Sequence, residues 1–239
     1  MKRYFLFCLF ICVFGYRPLM AQNIYYKTLS DSILRQFSDT TQTFSFKSKD
    51  SLKKDFTSYI KYILKFFPNT KYRSFKVIFK PSQHISRVKP CAFNAFKSPD
   101  NRKYKIYFSS LCNSTLDSVI LKNLQTNSQI GLISNQIGYL DDLSTDGFFD
   151  IIYWRFKQLS RRAKKKQASE NEIKLLELGL GYQLLSLSRD VEEKMKIENW
   201  KNAHAYTNYV TSDRNKFISQ STISIFIRDM PVYASRKYK

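Results

Sequence analysis

The stretch from Thr126 to Leu143 constrains the fold more than any other part of the chain. Its apolar residues recur at helical spacing, which predicts a helix with one buried stripe; they are Ile130, Ile133, Ile137 and Leu140. Gly131 and Gly138 lower the helix propensity, so each is expected to permit close packing of another element. Asn135, Gln136 and Tyr139 are polar positions in the same segment. The segment is therefore predicted to be a core helix that carries polar groups within one turn.

The helical segment resembles the active-site helix of zincin peptidases. In that class an apolar helix carries H-E-x-x-H, whose two histidines bind zinc while the glutamate activates the zinc-bound water. Asn135, Gln136 and Tyr139 stand at the His, Glu and His positions. The preceding run K-N-L-Q-T-N-S-Q-I-G, residues 122–131, is similar to the lead-in of a secreted Bacteroidetes-type metallopeptidase family. The chain thus resembles a degenerate gluzincin whose zinc motif has been replaced.

A second segment extends the resemblance. The family continues with a helix that begins E-x-E-A-D and runs into G-x-G-x-Q-L, and this helix supplies a glutamate as the third zinc ligand. Here the corresponding residues are Glu170 to Lys174 and Gly179 to Leu184. The resemblance places Glu170 at the ligand position and leaves Glu172 as the alternative, while Lys174 replaces the aspartate. It covers roughly residues 70–225.

The resemblance implies an α+β, zincin-like fold in which a small mixed sheet packs on the modified active-site helix and on a second core helix. Apolar periodicity predicts further elements: helices over 30–37, 51–67, 148–156 and 169–188, and strands over 72–80 and 103–109. By the resemblance, the strand over 104–108 is the edge strand of the substrate cleft. The predicted groove is then lined by Tyr104, Ile106, Asn135, Gln136, Tyr139 and Glu170.

The substituted residues remove the zinc chemistry. An asparagine offers a weak neutral carbonyl ligand, and a tyrosine loses its proton only near about pH 10. A glutamine cannot take a proton from water at neutral pH. No catalytic residue, metal or cofactor is therefore predicted, and the leading hypothesis is a non-catalytic pseudopeptidase whose groove binds an extended peptide or a protein partner. The alternative is a metal-dependent hydrolase with rearranged ligands, which would be Glu170, Glu172 and Asp141.

The N-terminus predicts export. Lys2 and Arg3 precede an apolar run over 4–14, and Leu19-Met20-Ala21 suits cleavage after Ala21. Residues 1–21 are thus expected to be a signal peptide, 22–48 an N-terminal arm and 49–239 one zincin-like domain, in a periplasmic or secreted protein. No later stretch has the length of an apolar membrane span.

The chain is strongly basic, with a formal net charge of +21. Its lysines are spread along the whole sequence, whereas a nucleic-acid footprint is expected to cluster on one element, so nucleic acid is not a predicted partner. The run from Arg161 to Lys166 is either a solvated helix end or an anionic docking patch. The docking patch would make the chain a basic envelope-binding protein, a third class of function.

Two cysteines follow the predicted signal peptide, Cys91 and Cys112. In an oxidising compartment they could form one disulfide that closes a hairpin around the strand over 103–109. Two separate thiols are the alternative.

Overall fold

The structure is a computed structural model that describes residues 26–37, 44–47, 53–71, 73–91, 97–112, 114–157, 160–195 and 220–234. Within these ranges the chain has a mixed α+β architecture of four strands and nine α-helices. The strands are β1 (Phe44–Lys47), β2 (Phe75–Lys80), β3 (Ser86–Pro90) and β4 (Tyr104–Ser109). The helices are α1 (Asp31–Arg35), α2 (Lys53–Leu64), α3 (Pro68–Lys71), α4 (Thr126–Thr145), α5 (Phe148–Lys157), α6 (Arg161–Glu177), α7 (Gly181–Met195), α8 (Gln220–Asp229) and α9 (Pro231–Ala234).

The four strands form one mixed sheet in the order β1-β2-β4-β3. β1, β2 and β4 are parallel, and β3 is antiparallel to β4. Alternation along β2 buries Phe75 and Val77 and exposes Lys76 and Lys80, because successive side chains of a strand point to opposite faces. The sheet therefore has one apolar inner face and one basic outer face.

Helices α2 and α4 are part of the core that covers the inner face. Aromatic contacts join α2 to the sheet, since the ring of Phe56 stacks on that of Phe79 with 5.5 Å between the ring centres. The predicted stripe of α4 is confirmed, since its four apolar residues are at most 1% exposed. Leu34 and Phe44 are buried in the same core, and β1 pairs with β2. The stretch assigned to an N-terminal arm thus contributes to the folded unit, while the predicted signal peptide lies outside the described residues.

The two glycines of α4 permit close approaches, as predicted. A Cβ atom at Gly131 would collide with the backbone carbonyl of Gln183 in α7, and one at Gly138 would collide with the side-chain amide of Asn171 in α6. α4 is buried on several sides because α6 and α7 contact it as well as α2.

The second core helix predicted over 169–188 is two helices, which corrects the sequence interpretation. α6 ends before Gly179, whose φ of 86° is left-handed. Leu180 N donates to Leu175 O, and Gly179 N donates to Leu176 O, both at 3.0 Å. These are the two hydrogen bonds of a Schellman motif, in which glycine accepts the left-handed conformation. The apolar spacing continues into α7 and hides the break.

None of the helices in the described ranges combines the length and the apolar character needed to cross a membrane.

Candidate functional site

The polar turn of α4 is held by an asparagine of α6. Asn171 Nδ2 donates to Asn135 Oδ1 at 2.5 Å and to the Asn135 backbone carbonyl at 3.0 Å. Both residues are buried, at 1% and 4% exposure. The glycine at 138 leaves room for this side chain. The amide oxygen of Asn135, the residue that the resemblance aligns with a zinc ligand, is therefore already engaged.

The acceptor atom of the same asparagine is unused. Within the described part of the chain, Asn171 Oδ1 is buried and has no hydrogen-bond donor. A buried polar atom without a hydrogen-bond partner lowers the stability of a fold, because buried polar groups are normally hydrogen-bonded. An acceptor thus faces the turn that would carry the zinc ligands in a zincin.

Gln136 and Tyr139, the other two residues that the resemblance aligns with the zinc motif, differ in environment. Gln136 is buried, at 6% exposure, and Tyr139 is half-buried and packs against the hydrophobic core. Glu170 is exposed, and its carboxylate lies 3.7 Å from the Lys166 ammonium group. The contact that the resemblance assigns to Glu170 is made by the next residue along α6.

A lysine joins α6 to the C-terminal half of α4. Lys174 Nζ lies 2.7 Å from Asp141 Oδ2 and 2.7 Å from Asp142 Oδ1, and Thr70 Oγ1 donates to Asp141 Oδ1 at 2.7 Å. Burial lowers the pKa of Lys174, but its hydrogen bonds to the two carboxylates outweigh burial, so the net pKa is raised. Lys174 thus forms an ion-pair cluster with Asp141 and Asp142.

The rearranged ligand set is dispersed in this geometry. Asp141 is bonded to Thr70 and Lys174, Glu170 is exposed and Glu172 is buried. Among the described residues, no three His, Cys, Asp or Glu side chains are grouped so that they could hold a metal ion.

A buried arginine ties the sheet to the end of α4. The Arg102 guanidinium donates to three backbone carbonyls, which belong to Leu143 at 3.3 Å, Asp146 at 2.8 Å and Lys97 at 2.9 Å. The Tyr104 hydroxyl donates to the Leu143 carbonyl at 3.0 Å. A cation at a helix C-terminus satisfies carbonyls that lack helical partners. No sequence pattern singled out Arg102, since it lies in a connecting segment.

The prediction that residues 104–108 form an edge strand is wrong. β4 is an interior strand, paired with β2 on one side and β3 on the other, and both side chains are buried in the core. Neither residue can offer a backbone edge to a ligand. The strand next to β4 at the edge of the sheet is β3, and β3 contacts α4.

The hydrogen bonds around β3 show which of its groups face outward. Cys91 N donates to Lys103 O and Ser109 N donates to Ile85 O, each at 2.8 Å. In an antiparallel ladder every second residue is bonded to the partner strand. Ser86 and Val88 therefore turn their backbone N–H and C=O groups away from β4, to the open edge.

Cys91 and Cys112 are thiols and form no disulfide in the structure. Cys91 lies opposite the start of β4, and Cys112 follows its end. A six-residue strand spans about 20 Å, whereas disulfides join Cα atoms at most about 7 Å apart. The hairpin-closing disulfide is thus replaced by the alternative of two thiols. The Cys112 thiol donates to Ser82 O at 3.0 Å.

The basic run begins α6. Ser160 Oγ accepts a hydrogen bond from Ala163 N at 3.3 Å and caps the helix, and Arg162 and Lys166 are exposed. This agrees with a solvated helix end, and it leaves both cations accessible.

Comparisons of the chain with protein-family models, with curated proteins and with solved structures found no match.

Proposed function

We propose that this protein is an exported, non-catalytic pseudopeptidase that binds an extended peptide. The observation that carries the proposal is the contact between Asn135 and Asn171. In this contact, the residue at the former zinc-ligand position takes part in hydrogen bonding within the core. The helix would then form one wall of a binding site.

The edge strand beside this helix supports the peptide as ligand. Outward backbone groups at Ser86 and Val88 can pair with a strand added to the sheet, as in β-augmentation. Arg87 and Lys89 are exposed on the outer face of β3, so a peptide with acidic side chains fits best. Pro90 limits the length of β3 that can pair with an added strand, because proline offers no N–H group.

A metal-dependent hydrolase with rearranged ligands has less support. Asp141 is held by Thr70 and Lys174, and a metal ion would have to displace the lysine. Glu170 would have to leave Lys166 and turn toward the groove.

A matched pair of variants at Ser86 tests the peptide proposal. Ser86→Pro removes one outward N–H while it keeps the hydrogen bonds between β3 and β4, and Ser86→Ala keeps the N–H. A phage-displayed random heptapeptide library is selected on each protein. We expect enriched peptides to bind the wild type and Ser86→Ala, and to bind Ser86→Pro about fivefold or more weakly, since one lost hydrogen bond contributes about 1 kcal/mol. Equal binding to folded samples of all three proteins would contradict recognition at this edge.

A further inference from the structure

The outer face of the sheet gathers basic side chains from three separate parts of the sequence. The strand registers place Lys76 of β2, Lys105 of β4 and Lys89 of β3 directly opposite one another in one row. The next row along the strands holds Ile78, Tyr107 and Arg87. Lysines that are scattered along the chain are thus adjacent on one surface.

The four described strands contain no acidic residue. Lys76, Lys80, Arg87 and Lys89 are exposed, and Lys105 is half-buried. Like charges directly opposite each other on neighbouring strands are destabilising, and strands in a sheet lie about 4.8 Å apart. The row of three lysines therefore opposes folding, and a bound anion would relieve that repulsion.

The aromatic residue of this face is already covered by cations. The ammonium groups of Lys80 and Lys89 lie 4.9 Å and 5.0 Å from the centre of the Tyr107 ring. Proteins that bind single-stranded nucleic acid stack bases on open aromatic faces, and this ring does not offer that arrangement. The exposed large hydrophobic residues of the described structure lie outside the four strands, and Ile78 on this face is only half-exposed, so the face offers no fully exposed apolar side chain to insert into a bilayer.

We propose that the outer face of the sheet binds a linear anionic polysaccharide through Lys76, Lys89 and Lys105, with Lys80 and Arg87 beside them. Lysine ammonium groups act as compact point charges with rotatable donors, which suits carboxylates or sulfates repeated along a flexible chain. This surface is the face of the sheet, whereas the proposed peptide site is the backbone edge of β3. The two proposals share Arg87 and Lys89, but the Ser86 variants test the backbone groups of the edge, and the lysine variants below test the side chains of the face.

Two triple variants with the same change in net charge test the proposal on the full chain. The first is Lys76→Gln, Lys89→Gln and Lys105→Gln. The control is Lys122→Gln, Arg162→Gln and Lys166→Gln, three exposed cations away from the sheet. The probes are immobilised heparin and alginate, with uncharged dextran as the blank. We expect the sheet variant to raise the Kd about tenfold or more and the control to change it less than about threefold, because local charge density governs binding to polyanions.

Three results would overturn the proposal. Equal losses in both variants would show that net charge alone matters, and a larger loss in the control would assign binding to the basic start of α6. Tighter binding to duplex DNA or to anionic vesicles than to both polysaccharides would assign the face to another partner. Folding is checked by thermal melting, and the unliganded sheet variant should melt at the same or a higher temperature than the wild type, since cross-strand repulsion is removed.

Discussion

At the scale of residues, the polar positions of α4 are explained by partners that its own sequence could not identify. The sequence marks Asn135 as a polar group in an apolar helix, but the partner depends on how α6 is rotated about its axis. Adjacent residues of a helix are about 100° apart, so a one-residue error exchanges the exposed Glu170 for the buried Asn171. The resemblance pointed to Glu170, whereas the residue of α6 that contacts Asn135 is Asn171.

The packing of Asn171 against Gly138 gives a residue-scale prediction. Gly138→Ala places a Cβ against the Asn171 amide, so we expect it to lower the free energy of unfolding by about 1–3 kcal/mol, although alanine favours a helix by about 1 kcal/mol. In the Asn171→Ala background the same glycine substitution should cost much less, as measured by urea unfolding in a double-mutant cycle. Gly131→Ala is the control, because its clash is with a backbone carbonyl and Asn171→Ala should leave that loss unchanged. Additive effects of Gly138→Ala and Asn171→Ala would contradict the packing.

At the scale of elements, the strongly periodic segments were predictable and their ends were not. The strand over 103–109 and the helix over 126–143 match β4 and α4 closely. β1 and β3 were missed because four or five residues give too little alternation to distinguish a strand from a loop. β3 ends in proline, which also argues against a strand by sequence alone. The edge strand was consequently assigned to β4.

The junction between β4 and the end of α4 predicts alkaline sensitivity. Burial raises the pKa of Tyr104, although its hydrogen bond with Arg102 and the Arg102 charge act in the opposite direction. The folded protein then holds the phenolic proton more tightly than the unfolded chain, so the free energy of unfolding falls as the pH rises above the ordinary tyrosine value of 10.0. The raised pKa of Lys174 acts in the same direction above 10.5.

The variant Tyr104→Phe separates the contribution of Tyr104 to this pH dependence from that of Lys174. We expect this variant to lose about 1 kcal/mol at neutral pH, because its hydrogen bond to Leu143 is absent. Its stability should fall less steeply than that of the wild type when urea unfolding is followed from about pH 9 to about pH 11. Parallel curves for the two proteins would show that the tyrosine does not titrate with folding.

At the scale of the whole molecule, the distribution of charge along the sequence was a poor guide to its distribution in space. The lysines look evenly spread because β2, β3 and β4 come from separate stretches of chain. Alternation predicts that every second residue of a strand is exposed, but the register that aligns Lys76, Lys105 and Lys89 depends on strand order, which sequence periodicity does not encode. The α+β class, which the resemblance implied and the mixture of helical and strand patterns agreed with, is observed.

The central claim is that α4 and α6 keep the frame of a zinc site whose chemistry has been replaced. Zinc titration of the triple variant Asn135→His, Gln136→Glu and Tyr139→His tests it most directly. Two imidazoles one turn apart and a carboxylate from α6 meet the ligand count of a catalytic zinc site. The unused Asn171 Oδ1 could accept the remaining N–H of a histidine at position 135 and orient its ring.

Calorimetry on the folded variant should therefore give one zinc per chain. Glu170→Gln and Glu172→Gln, each added to the triple variant in turn, identify the third ligand. Loss of that ligand should raise the Kd for zinc at least tenfold, which corresponds to about 1.4 kcal/mol of binding free energy. A folded triple variant that takes up no zinc would contradict the claim.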